Sequence, residues 1–326
     1  MYNRFPSIVE YQPYSICNAN CAYCPVGSLN RIEKTKGEPI SENVLKTLIN
    51  RTKGKNIKKV NPHYNCEPLL AKNLTDQIRL WKIAHPNVVI DISTNGVFLT
   101  IDKVLELEDA GLDILELHYM GISKDYHENA MQTKFDKVKS NIEKVLELKR
   151  SKNLNMKMYI FSHRLKGASL NQWYEFGKEW KSKGADFVLG PLWNRAGWYG
   201  EDFEKKRKGF LKSIDPSPCS KPFQQIAVEF DGEVSLCSLD YSHKVKIGNI
   251  MDNTIEEIWN NSVMRKYQEG QNDINKLKKL DLCNDCIRGG RYYLDENKLT
   301  KLVNKEFTNK YSEFFYKKYL DVLDRV

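Results

Sequence analysis

No apolar run in this chain is long enough to cross a bilayer: stretches such as Val88-Val89-Ile90 stop after a few residues, where about 20 are needed. The start, Met1-Tyr2-Asn3-Arg4-Phe5-Pro6, has no apolar stretch of the kind that opens a secretory signal. Internal repeats and low-complexity linkers are also missing, so independently moving domains are not expected. These absences argue against a helical membrane protein and lead to the expectation of a soluble, cytoplasmic one. In that compartment the eight cysteines serve better as metal ligands or redox groups than as disulfides.

What is present is a globular composition. With 326 residues and 41% hydrophobic content, the chain can bury a substantial core as one large α/β domain, or as a large domain with a small appendage. Lysine and arginine number 51 against 42 acids, a formal charge of +9. Such a balance suits an anionic partner, although a solvated lysine-rich surface is the plainer account of it.

β-rich segments at 7–16, 58–63, 88–93, 114–119, 156–161 and 186–192 alternate with helical ones. Ser41 is placed to cap a helix over 42–53, and Thr100 or Asp102 one over 102–110. Phe135, Val138, Ile142, Val145 and Leu146 draw an apolar stripe at helical spacing, and 170–183 carries Trp173, Phe176 and Trp180 as core aromatics. Six strands alternating with helices predict a parallel sheet, open or closed into a partial (β/α)6, TIM-like barrel, whose functional face lies at the carboxyl ends of its strands. Beyond it, 224–230 and 233–238 flank Asp231-Gly232 as a hairpin, and 255–261 and 262–269 read as helices. The expected division is a barrel over 1–198, a small α+β domain over 199–290 and a helical C-terminal tail over 291–326.

The cysteines fall in groups. Cys17, Cys21 and Cys24 lie within eight residues, just past the first predicted strand, and offer three thiolates with no fourth. A structural zinc site closes with four protein ligands and a cubane cluster normally takes one cysteine per iron, so three ligands leave a coordination position open. Cys219, Cys237 and the pair Cys283 and Cys286 supply four, enough to close one centre; spacing alone fits a four-thiolate zinc as well as a cluster. Cys66 belongs to neither set.

The run Cys17-x3-Cys21-x2-Cys24, with Tyr23 before the last cysteine, resembles the radical S-adenosylmethionine superfamily. The resemblance implies a 4Fe-4S cluster on these three residues, with S-adenosylmethionine bound at the open iron and reductively cleaved to a 5′-deoxyadenosyl radical that abstracts a substrate hydrogen. Glu67-Pro68-Leu69-Leu70 is similar to the family's Gly-Gly-Glu-Pro segment, with Asn65-Cys66 where glycines are usual, and implies that Glu67 meets the methionine amine. Ser93-Thr94-Asn95-Gly96 resembles the segment beside the ribose. The late cysteines, with Ile247-Gly248-Asn249-Ile250 and the helix after it, resemble the twitch domain, the shortened relative of the SPASM domain, and imply a second 4Fe-4S cluster with no open iron, suited to electron transfer.

Arg195, in Asn194-Arg195-Ala196-Gly197 after the sixth strand, is expected to contact substrate, and His118 and Tyr119, ending the fourth, to accept a proton or touch substrate. His63 and His163 carry less information. Cys66 is read either as a small buried group or as the thiol that returns hydrogen to a substrate radical.

Three functions compete. The first is a radical oxidoreductase that dehydrogenates a hydroxyl- or amine-bearing carbon of a small molecule such as an amino sugar or cyclitol, with the auxiliary cluster taking an electron. The second is an epimerase of a sugar or peptide residue that uses Cys66. The third is a zinc-stabilised basic protein that binds nucleic acid. No leader-peptide-binding module is evident before the barrel, which favours a small molecule over a peptide. A flavodoxin- or ferredoxin-type electron donor is expected, and no nucleic acid or membrane partner.

Overall fold

The computed structural model describes residues 5–28, 37–163, 165, 167–190, 195–197 and 219–288. The expected tail over 291–326 and residues 199–218, the start of the expected small domain, lie outside the described residues. Six strands, β1 (Ile8–Tyr11), β2 (Lys59–Asn61), β3 (Val89–Thr94), β4 (Ile114–His118), β5 (Lys157–His163) and β6 (Asp186–Gly190), pair parallel in sequence order. On the other side of β1 the sheet continues with β7 (Gln225–Val228), also parallel, and then antiparallel with β8 (Glu233–Ser235) and β9 (Lys246–Asn249). This is an α/β fold: a parallel six-stranded partial barrel extended by a small antiparallel region.

Between the strands run α1 (Pro25–Ser28), α2 (Glu42–Thr52), α3 (Leu74–Ala84), α4 (Ile101–Asp109), α5 (Lys124–Met131), α6 (Phe135–Lys152) and α7 (Leu170–Ser182). The later part adds α8 (Lys221–Gln224), α9 (Ile255–Trp259), α10 (Ser262–Gly270), α11 (Ile274–Leu277) and α12 (Asp281–Arg288). Ser41, Thr100 and Ser169 each accept a first-turn N–H, as capping requires, and Ser169 with Gln172 completes a capping box. Among the described residues no helix is long and apolar enough to cross a membrane.

Period-two alternation sorts the strand side chains. Val9, Tyr11, Val60, Ile90, Ile92, Leu115, Leu117 and Phe187 are buried against the helix layer, where the Tyr11 ring lies 6.1 Å from Trp81 and Phe176 lies 5.2 Å from Phe187. Trp173, Phe176 and Trp180 are core, as the stripe on α7 predicts. The opposite, inner wall is polar. It carries Glu10, Lys59, Asn61, Asp91, Glu116 and His118, with a small apolar cluster of Ile114, Tyr159 and Phe161 among them.

Three expectations change. β1 ends at Tyr11 rather than at residue 16, because Pro13 has no N–H to extend the ladder; the Pro13 carbonyl accepts from Ile40 N at 3.0 Å instead. The cysteine segment is therefore irregular backbone that starts after a short antiparallel bridge between Tyr14 and Pro39. Helix α5 was not legible, and the Ile247-Gly248-Asn249-Ile250 segment, not among the expected strands, supplies most of β9. There Gly248 is required, since a Cβ would come within 2.8 Å of Ile258 Cγ1 and φ is 152°.

Candidate active site

Cys17, Cys21 and Cys24 sit between β1 and α1 in a loop that is tied down from both sides. On one side, Ala22 N donates to Ala130 O at 2.9 Å and the Cys21 thiol donates to Met131 O at 3.6 Å, so the end of α5 backs the loop. On the other, Asn95 Nδ2 reaches Asn18 Oδ1 at 2.9 Å and Cys17 Sγ at 3.8 Å, and Glu67 N donates to Ile16 O at 3.1 Å. Gly27 lets the loop close, because a Cβ there would lie 2.1 Å from Asn20 Oδ1. Tyr23 is buried, its ring 4.9 Å from that of His163.

The chemistry of this donor set fits a polynuclear cation. Burial, together with the charges of Glu67, Cys21 and Cys24, pushes the Cys17 thiol well up, and burial with Cys24 pushes Cys21 up to about 12. Thiols so reluctant to ionise become thiolates only when positive charge is placed among them, which is what a cluster supplies. Among the described residues no three His, Cys, Asp or Glu side chains converge on a single metal ion, whereas a four-iron cluster takes each thiolate on a different iron.

Glu67 is 2% exposed and is held by three donors: Leu69 N at 3.1 Å and Thr94 Oγ1 at 2.6 Å to Oε1, and Asn95 N at 2.9 Å to Oε2. Burial still outweighs these bonds and raises its pKa, so the site favours a bound cation beside it. Thr94 also accepts from Gly96 N at 3.1 Å, and Asn95 Oδ1 accepts from Val97 N at 3.0 Å. The expected ribose-side trio is thus divided: Thr94 and Asn95 shape the site through Glu67 and the cysteine loop, while Ser93 is half-buried on the inner wall.

His118 reaches the inner wall. Its Nε2 is 2.6 Å from Glu116 Oε1, and its ring stacks on Phe161 with centroids 5.1 Å apart. Tyr119 does not. It is fully buried in the helix layer among His127, Phe135, Phe176 and Trp180, which corrects its expected role: neighbouring strand residues face opposite sides, so only one of the pair can line the barrel. Cys66 is half-buried, close enough to Tyr11 for its charge to bear on that hydroxyl.

The late cysteines come together around α12. Gln271 accepts from Cys219 N at 3.2 Å and donates to Cys283 Sγ at 3.5 Å. Burial pushes Cys237 up to about 12; the Lys221 ammonium opposes this, and Cys219 and Cys286 add to it. Lys221 Nζ donates to Ser238 Oγ at 2.9 Å and Gln225 Oε1 at 3.1 Å. Helix α12 packs against the turn Arg195–Gly197, where Arg195 and Ala196 both adopt left-handed backbone (φ 52° and 53°). Arg195 donates from Nη1 to Tyr241 OH at 2.7 Å, and its charge bears on Cys21 and Tyr23 on one side and on Lys221 on the other. It stands between the two cysteine groups.

The sequence reading missed Glu10, Lys59, Asp91, Glu116, Tyr159 and Tyr241. The first four carried a signal: each is a charged residue on the inner-facing alternation of a short strand whose other face is apolar. Lys59 and Asp91 form a buried ion pair, and Asn61 Nδ2 donates to Glu10 Oε1 at 3.1 Å.

A model of the radical SAM superfamily matches residues 11–162, and one of the SPASM iron-sulfur cluster-binding domain matches residues 219–287. The chain belongs to the radical SAM superfamily and carries a SPASM cluster-binding region. It is similar to the S-adenosyl-L-methionine-dependent 2-deoxy-scyllo-inosamine dehydrogenase of Niallia circulans, at 24% identity over 288 residues, 86% of this chain and 92% of that protein. The structure of BtrN in complex with AdoMet and 2-DOIA aligns with a TM-score of 0.59 at 22% identity over 87% of this chain and 93% of that one. Native anSMEcpe with bound AdoMet gives 0.61 at 17% over 98% and 100%. Streptococcus suis SuiB bound to precursor peptide SuiA gives 0.63 at 13% over 82% and 67%. These structural likenesses establish the fold.

Proposed function

We propose that this chain dehydrogenates a hydroxyl- or amine-bearing carbon of a small polar molecule of the amino sugar or cyclitol class. The observation that carries the reading is the late cysteine set: four thiols gathered about α12 with Lys221 beside them are enough to saturate a second 4Fe-4S cluster, leaving it to accept an electron rather than bind substrate. Bound at Cys17, Cys21 and Cys24, a reduced cluster with S-adenosylmethionine supplies the radical that removes hydrogen from carbon. Glu67 meets the methionine ammonium, and Thr94 and Asn95 hold Glu67 in place. The inner wall supports an amine-bearing substrate, because Glu10, Asp91 and Glu116 outnumber Lys59, and the buried Asp91 Oδ1 and Asn61 Oδ1 have no hydrogen-bond partner among the described residues. Arg195, placed between the two cysteine groups, faces a substrate hydroxyl. A similar protein is named as the dehydrogenase of an aminocyclitol, which agrees with this reading. A flavodoxin- or ferredoxin-type protein provides the reducing electron.

Anaerobic reconstitution followed by iron counting and product analysis tests it. Roughly eight irons per chain are expected from two four-iron clusters, together with 5′-deoxyadenosine and a ketone or imine made from an aminocyclitol. An inverted product carrying solvent deuterium, lost on Cys66→Ala, would replace dehydrogenation by epimerisation. A colourless zinc protein that makes no 5′-deoxyadenosine would overturn both.

A further inference from the structure

We infer that Glu116, His118 and Tyr159 form a proton-accepting unit on the inner wall, in which His118 Nδ1 takes the hydroxyl proton of the substrate and Glu116 and Tyr159 fix the ring that does so. The inference rests on the dehydrogenation reading above and assigns the group that reading lacks.

Oxidising a carbinol takes three transfers. A hydrogen atom leaves carbon for the 5′-deoxyadenosyl radical. The O–H bond of the resulting substrate radical then breaks as the C=O bond forms, sending a proton to a base and an electron to an oxidised iron-sulfur centre. Hydrogen atom and electron have acceptors; the proton needs one.

Glu116 is 7% exposed, and both of its oxygens are engaged: Oε2 accepts from Tyr159 OH at 2.5 Å, and Oε1 lies 2.6 Å from His118 Nε2. Burial alone would push this carboxyl up, but the bonds from His118 and Tyr159, with the nearby His63, hold it below the ordinary carboxylate range. An ionised carboxylate can only accept, so Nε2 carries the hydrogen and, in the neutral ring, Nδ1 is left with its lone pair. Nδ1 has no hydrogen-bond partner among the described residues. Phe161 stacked on the ring limits its rotation.

The position is right as well. His118 ends β4 at the carboxyl face, its ring is 5.8 Å from that of His163, and His163 is 4.9 Å from Tyr23 in the cysteine loop. The titratable groups facing the unit are Glu67, whose carboxyl feels the charge of His118, His63 from the turn after β2 and His163 from β5.

Two measurements test it. Nitrogen-15 NMR of histidine-labelled full-length chain, with His118 assigned by difference from His118→Gln, should find the Nε2–H tautomer; the Nδ1–H tautomer would overturn the assignment, with no turnover required. In the reconstituted enzyme, Glu116→Gln and His118→Gln should lose on the order of 10²-fold in ketone formation, the usual worth of a general base, while still releasing 5′-deoxyadenosine. Because the carboxylate can only accept from Nε2, Glu116→Gln should also erode the Nε2–H preference in the nitrogen-15 spectrum, a change that a packing defect elsewhere would not produce. Unchanged ketone rates in both variants would sink the unit alone, whereas wild-type enzyme that makes 5′-deoxyadenosine but no ketone sinks the dehydrogenation reading itself.

Discussion

His127 is packed inside α5 with one ring nitrogen 2.9 Å from Thr133 Oγ1 and the other, Nδ1, buried without a partner among the described residues. Burial lowers its pKa from 6.5 to about 4. A lowered histidine is neutral in the fold and charges more readily when unfolded, so its effect is absent above the unfolded value and destabilises progressively as pH falls toward the folded one. We expect about 2 kcal/mol of lost stability by pH 5 from this group. Urea midpoints at pH 7 and pH 5 should therefore differ less for His127→Gln than for wild type. Residues of this kind are invisible in the sequence, because nothing local marks a buried imidazole. The cysteine groups were legible, since three-and-four grouping is itself the chemistry. The inner-wall acids sat in plain alternation within their strands, and the same alternation would have ruled out His118 and Tyr119 as joint site residues.

On α7 the aromatic stripe closes the helix layer over β6. Trp180 is 1% exposed, meets Tyr119 edge-on with centroids 5.6 Å apart, and carries Lys183 Nζ 4.6 Å over its ring. Trp180→Ala should cost about 3–5 kcal/mol, as large-to-small core substitutions do, read as a lowered denaturation midpoint; a change within a few tenths would show that the helix is not seated as described. Stripes and caps of this sort are readable because they repeat at a fixed period. Elements without such a stripe are not. α5 buries only His127, Ala130 and Met131 on a polar sequence, and β9 is short and holds a glycine fitted against Ile258.

At the scale of the molecule, the pairing of β1 with β7 joins the barrel to the cluster-binding region through backbone hydrogen bonds, with Ile8 opposite Gln225 and Tyr11 opposite Val228. An appendage was expected from the change of sequence pattern past the sixth strand; that its strands add to the old sheet is a tertiary fact no local signal announces. Chain truncated at residue 218 would leave one side of β1 as an unpaired edge, a template for aggregation. We expect such a protein to be recovered insoluble or without a cooperative melt. Soluble, folded material that binds about four irons would show instead that the barrel stands alone.

The same pairing acts as a ruler. The first cysteine loop leaves the sheet from β1, and Cys219 and Cys237 flank the ladder built on β7, so both groups are surveyed from neighbouring strands about 4.8 Å apart. Their separation, and with it the path of any electron passing between them, is set on this side by a run of backbone bonds rather than by the swing of a linker, while α12 brings the remaining two thiols of the second group.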